Sequence, residues 1–132
     1  MIRKWQPEDL AVVADALLRL HQKTTWLHDL SVDQEDLTKW LLGLYLNHQV
    51  TVFLSDDDQG HVLAILGVKI DHYYHPPHFA YMEEWCLWGN DTRDIVKLWR
   101  EARQWGKDRG ALFAKRGILD GYNEQVKWEK LR

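Results

Sequence analysis

The spacing of apolar residues changes period several times along the chain, and each change marks a predicted element. Ile2 to Trp5 reads as a short first strand. Pro7 then sits at the first position of a helix, where its missing N–H is tolerated, and Glu8 and Asp9 complement the helix dipole. Leu10, Val13, Leu17 and Leu20, joined by Ala14 and Ala16, give that helix one apolar face through about His21. A polar connection covers residues 21–30. Ser31 with Gln34 then predicts a capping box for a second helix, whose buried stripe is Leu37, Trp40, Leu41, Leu44 and Tyr45.

A period of two follows. Val50 to Leu54 and His61 to Tyr74 predict an antiparallel pair across the turn Asp56-Asp57-Asp58-Gln59-Gly60, with room for a bulge near Gly67. The loop His75-Pro76-Pro77-His78 breaks the ladder. Tyr81 to Trp88, aromatic-rich on both faces, predicts a strand covered on two sides. The chain turns at Gly89-Asn90-Asp91-Thr92 into a helix over roughly 93–109, capped by Asp91 or Thr92, with Ile95, Leu98, Trp99, Ala102 and Trp105 on its buried side. Ala111 to Ile118 and Gln125 to Leu131 predict two last strands, joined at Asp120-Gly121-Tyr122-Asn123. The order β-α-α-β-β-β-α-β-β, without repeat or linker, predicts one α/β domain over residues 1–132: a mixed, mostly antiparallel sheet flanked by helices.

Composition narrows the function classes. A formal charge of −3 with no dominant basic face argues against a nucleic-acid partner. A single cysteine, Cys86, inside a predicted buried strand excludes a disulfide framework and suggests a reducing, cytoplasmic setting. The longest apolar run, Val62 to Val68, is too short to span a bilayer, and the opening MIRKWQPEDL carries no signal-like apolar segment. Eight tryptophans imply a core or binding surface built from large amphipathic rings. Trp85, Trp88, Trp99 and Trp105 are expected in the core, and any exposed one among Trp26, Trp40 and Trp128 would anchor a partner.

Three stretches carry a family resemblance. The opening IRKWQPEDLAVVADALLRLH, the hairpin VTVFLSDDDQGHVLAILGVKI, and YMEEWCLWG followed by a helix together resemble the GCN5-related N-acetyltransferase (GNAT) family over nearly the whole chain. The resemblance implies a GNAT-like fold and an acyl-CoA-dependent N-acetyltransferase, with acetyl-CoA as cofactor and an amine as acceptor. It places the cofactor along Leu87, Trp88, Gly89, Asn90, Asp91, Thr92 and Arg93, with backbone N–H groups of the turn on the pyrophosphate. Glu83 or Glu84 would be the general base for the acceptor amine. Tyr122 is the nearest candidate for the tyrosine that protonates the departing thiolate.

Two departures accompany these matches. The family loop usually reads Gln/Arg-x-x-Gly-x-Gly/Ala, whereas here it is Gly89-Asn90-Asp91-Thr92-Arg93-Asp94, with one glycine and two carboxylates against one arginine. Between Ile118 and Val126 only seven residues remain, enough for a turn but not for the family's fourth helix. Compact members are common in bacteriophage genomes, so the resemblance extends to a phage-encoded protein acting on a host target in the host cytoplasm. The alternative is a GNAT-fold protein without transferase activity that binds and modulates a host enzyme, or a phage structural or assembly component.

Other residues carry weaker signals. Glu83 and Glu84 are adjacent in a strand and so face opposite ways; burial raises the pKa of at least one, and pairing with a basic side chain is the simpler reading. His72, His75 and His78 recur at three-residue intervals, a spacing that raises a metal site, but nothing completes a ligand set, and a groove lip is expected instead. Lys115 and Arg116, near the end of a strand, could reach a phosphate, but are read as solvent-facing charges. Cys86 is expected to pack as a small apolar residue. The edge at 125–131 is open to a second copy, though the oligomeric state stays undetermined.

Overall fold

The structure, a computed structural model, describes residues 1–23, 31–120 and 123–131. Strand β1 (Ile2–Lys4) leads through one 3₁₀ turn, Pro7–Asp9, into α1 (Leu10–Lys23). Then come α2 (Gln34–Tyr45), β2 (Val50–Asp56), β3 (Val62–Tyr73), β4 (Phe79–Gly89), α3 (Thr92–Asp108), β5 (Phe113–Asp120) and β6 (Asn123–Lys130). The strands form one sheet in the order β1-β2-β3-β4-β5-β6, antiparallel throughout except for the parallel pair β4–β5. The fold class and element order expected from the sequence are those observed.

Each end of the first helix pair has a local cause. Arg3 donates two hydrogen bonds to the Asp9 carboxylate, at 2.6 and 2.9 Å, and one to Asp56, tying the 3₁₀ turn to the edge of the sheet. Those bonds hold the Asp9 carboxyl below its ordinary range against the opposing effect of burial. For α2, Asp33 rather than Ser31 is the N-cap: its carboxylate accepts the Glu35 N–H at 2.8 Å, directly before the first helical residue. Residues 24–30, including Trp26, lie outside the described residues.

The sheet has a core on each side. On one face α3 brings Leu98, Trp99, Ala102 and Trp105 onto Phe53, Leu66, Val68 and Met82. On the other, α1 and α2 bring Leu10, Val13 and Leu41 onto Val52, Leu54, Ile65 and Cys86, with Trp5 among them. Trp5, Trp99 and Trp105 are buried, whereas Trp85 and Trp88 are half-buried at the rim and Trp40 and Trp128 are exposed.

The anticipated bulge lies opposite Gly67, with the extra residue on β4. Val68 pairs with Glu84 and Gly67 with Cys86, so Trp85 has no partner of its own on β3. Glycine is required at 67 because a Cβ there would lie 2.6 Å from Cε2 of Trp85. The indole covers the glycine and meets Trp5 and Trp40 with ring centroids 6.3 and 6.0 Å away.

Just before this bulge β4 and β5 part. They pair at Tyr81–Phe113, Met82–Ala114 and Glu83–Lys115, and no further pairs join them, while β5 stays on β6 as far as Asp120. Among the described residues no strand pairs with the β5-facing edge of β4 from Glu84 to Gly89, at the mouth of a V.

Candidate functional site in the V between β4 and β5

Glu83 and Glu84 lie at the apex of this V, where the paired part of β4 ends. Strand alternation sends them to opposite faces, as expected from their adjacency. Glu83 takes the α1–α2 side, in one cross-strand row with Lys69 and Lys115. Both lysine Nζ atoms lie 3.6 Å from its carboxylate oxygens. Lys115 also stands over the Trp128 ring, 5.8 Å from its centroid.

Glu84 takes the α3 side, opposite Val68. Burial pushes its carboxyl up to about 7, outweighing the attraction of Arg116. Its Oε2 is buried with no hydrogen-bond partner. Arg116 is itself partly buried, with its guanidinium 4.8 Å from the Trp99 ring centroid and Nη1 3.5 Å from Oε1 of Glu129. Arg103 donates to the other Glu129 oxygen at 2.8 Å. Burial pushes Glu129 up, and these cations together with Lys127 outweigh it, leaving the carboxyl below its ordinary range. Lys115 and Arg116 are therefore not the freely solvated pair expected from sequence: β6 supplies Trp128 and Glu129 as their neighbours.

The turn from β4 into α3 is built tightly. A Cβ on Gly89 would lie 2.8 Å from Cβ of Ala64, so only glycine lets the end of β4 close against β3. Asp91 caps α3: its Oδ1 accepts the Arg93 N–H at 2.8 Å, and the Arg93 guanidinium folds back onto the same carboxylate, with Nη2 3.0 Å from Oδ2. Asp94 accepts a hydrogen bond from Ser55 Oγ at 3.0 Å. Leu87 packs toward α3, and Trp88 toward α1 and α2.

These residues meet the parts of an acyl-CoA unequally. The open β4 edge has the length and the exposed backbone groups to take an extended, amide-bearing arm as an added strand. At the helix start, by contrast, a pyrophosphate would meet the Asp91 carboxylate where a glycine-rich nest would offer N–H groups. The thioester arm fits; the phosphate end fits only once Asp91 and Arg93 separate.

Tyr122 lies outside the described residues. His72, His75 and His78 are not drawn together, and no group of three metal-ligating side chains forms among the described residues. His78 lines a groove of about 480 Å³ with Tyr73, Phe79, Phe113 and Trp128. Cys86 is buried, which pushes its thiol up to about 12 and makes it inert. No helix among the described residues is long and apolar enough to cross a membrane.

No protein-family model matches the sequence, and no curated protein is significantly similar to it. Solved structures share its fold. The tetramutant of the BH1408 protein from Bacillus halodurans superposes with a TM-score of 0.73 at 15% identity, over 91% of this chain and 83% of the other. A predicted acetyltransferase with acetyl-CoA from Clostridium acetobutylicum gives 0.71 at 9% identity, over 92% and 81%. A GNAT family acetyltransferase from Staphylococcus aureus gives 0.64 at 12% identity, over 93% and 89%. The chain therefore has the GNAT fold.

Proposed function

We propose that this protein is an acyl-CoA-dependent N-acyltransferase whose chemistry takes place at the apex of the β4–β5 V. One observation carries the reading: two parallel strands part at a pair of carboxylates, one of which titrates near neutrality. Acetyl-CoA, when bound, supplies an acyl group activated as a thioester. Backbone groups of residues 84–89 and the guanidinium of Arg93 are the groups that hold it, with Leu87, Trp88 and the turn Gly89 to Thr92 forming the walls.

The chain's own task is to deliver a neutral amine. An alkylammonium with a pKa of about 10 has no lone pair to attack with, so it must first lose a proton. Glu84, raised to about 7, is a stronger base than an ordinary carboxylate and still largely ionised just above neutrality. It takes the amine proton through water at the apex of the V, since its carboxylate and that of Glu83 face opposite sides of the sheet. Glu83, held between two lysines, serves to position the incoming ammonium. Tyr122 is the proposed proton donor to the departing sulfur.

The test is thiol release from acetyl-CoA with a panel of amines. Turnover is expected to rise with pH through about 7, and Glu84→Gln to lose roughly a hundredfold or more. Failure of every amine to release thiol, or full activity in Glu84→Gln, would sink the reading.

A second reading is favoured by the Asp91 cap. A carboxylate already bonded to the helix N-terminus opposes a polyanion there, which suits a GNAT-fold protein that binds a partner protein, such as a host enzyme of a phage, without transferring an acyl group. On that reading Asp91→Ser leaves CoA binding undetectable; on the first it tightens it.

A further inference from the structure

We infer that the partly exposed sheet face around Glu83 is the acceptor subsite, and that it is shaped for a free α-amino acid with an aromatic side chain. This rests on the acyltransferase reading for its chemistry but on separate geometry for its specificity. Among the described residues, helices α1 and α2 cover this face over Val52, Leu54, Ile65, Trp85 and Cys86, while Lys69, Glu83 and Lys115 stay partly exposed. Below them the strands present two rows. One runs Lys69, Glu83, Lys115, Trp128 across β3 to β6, and the next runs Asp71, Tyr81, Phe113, Lys130.

The first row alternates positive, negative, positive on strands about 4.8 Å apart. That order is the complement of a zwitterion. An ammonium on Glu83 places a carboxylate on the same carbon beside Lys115, or beside Lys69, whose Nζ also lies 3.9 Å from Asp71; each lysine has three donors to share among these partners. A polyamine would find its second charge against a lysine. A peptide N-terminus has no carboxylate to offer either lysine.

The third substituent of the α-carbon falls toward the rings. Tyr81 and Trp128 meet with centroids 5.2 Å apart and an interplanar angle of 66°, and Phe79 meets Phe113 at 5.2 Å and 63°. Beside them runs the groove of about 480 Å³, and Trp128, 42% exposed, forms a wall shared by that groove and the charged row. An added aromatic ring extends this edge-to-face array, which an aliphatic chain cannot do.

The experiment is calorimetric titration without any acyl donor, using L-phenylalanine, L-alanine, 2-phenylethylamine, 3-phenylpropionate and L-phenylalanine amide. L-Phenylalanine should bind about tenfold or more tighter than each of the others, since each lacks one of the three recognised groups. Trp128→Ala should weaken L-phenylalanine by about tenfold. Lys115→Met should weaken L-phenylalanine while leaving 2-phenylethylamine unchanged or tighter, a split that loss of structure would not produce. Equal binding of alanine or of the amide, or an unaltered affinity in Trp128→Ala, would overturn the assignment. L-Phenylalanine binding with no thiol release from acetyl-CoA would uphold the subsite and sink the transferase. Thiol release with other amines but no binding of L-phenylalanine would do the reverse.

Discussion

Replacing Glu84 by glutamine removes the ionisable group and keeps the side chain's shape. An ordinary glutamate titrates at 4.5, and Glu84 at about 7. The native state thus holds a proton that the unfolded chain has already released, and the difference acts against folding. Below pH 4.5 both states are protonated and the effect vanishes. Between 4.5 and 7 stability falls as pH rises, and above 7 the loss is complete. At about 1.4 kcal/mol per pH unit the full difference is about 3 kcal/mol, and solvent screening at this partly exposed carboxylate reduces it to roughly 2 kcal/mol. Glutamine carries none of this penalty. Urea unfolding of Glu84→Gln should therefore match the parent near pH 4.5 and exceed it by roughly 2 kcal/mol near pH 8, while turnover falls. A difference that does not change between the two pH values would refute the reasoning, because it would mean that Glu84 ionises freely in the native state.

Four further outcomes follow from the same geometry. Gly67→Ala places a methyl group against the Trp85 indole and should cost about 1–2 kcal/mol in urea unfolding, with Trp85→Leu relieving the clash in the double variant; an additive pair would contradict the contact. Arg3→Ala leaves the mostly buried Asp9 and Asp56 carboxylates unpaired and should lower stability by about 2–3 kcal/mol at neutral pH, less so in acid, since Asp9's contribution is lost as pH falls through its depressed pKa. Cys86, with its thiol at about 12, should resist alkylation in the native protein at pH 8 and react after unfolding; rapid native labelling would contradict its burial. Asp91→Ser keeps a cap and removes a charge, so CoA affinity should rise by about tenfold at low salt.

The sequence disclosed the elements well where one residue type has one use. A cap for α3 at Asp91 or Thr92, of which Asp91 serves, the tight turn ending at Gly60, and the opposed directions of Glu83 and Glu84 all follow from local rules. What depends on a distant strand was hidden. Nothing near Lys115 or Arg116 announces that β6 will bring Trp128 and Glu129 beside them, because register is set by the whole sheet. The bulge was legible as a glycine in a strand, but its owner was not: Gly67 is the space, and Trp85, on the neighbouring strand, is the residue that uses it. Trp5 looked like the end of a short strand and is instead buried against Tyr45 and Trp85, a role conferred by α2 and β4. The aromatic floor escaped for the same reason, since Phe79, Phe113 and Trp128 lie on three different strands.

The central claim is that the V between β4 and β5 is an acyl-CoA site despite the carboxylate at its helix end. Calorimetric titration of the protein with acetyl-CoA, and with CoA for comparison, tests it most directly. The account predicts dissociation constants in the micromolar range, lost when Gly89→Val drives a side chain into Ala64 and distorts the end of β4. No heat of binding at millimolar acetyl-CoA, in the parent and in Asp91→Ser alike, would contradict it.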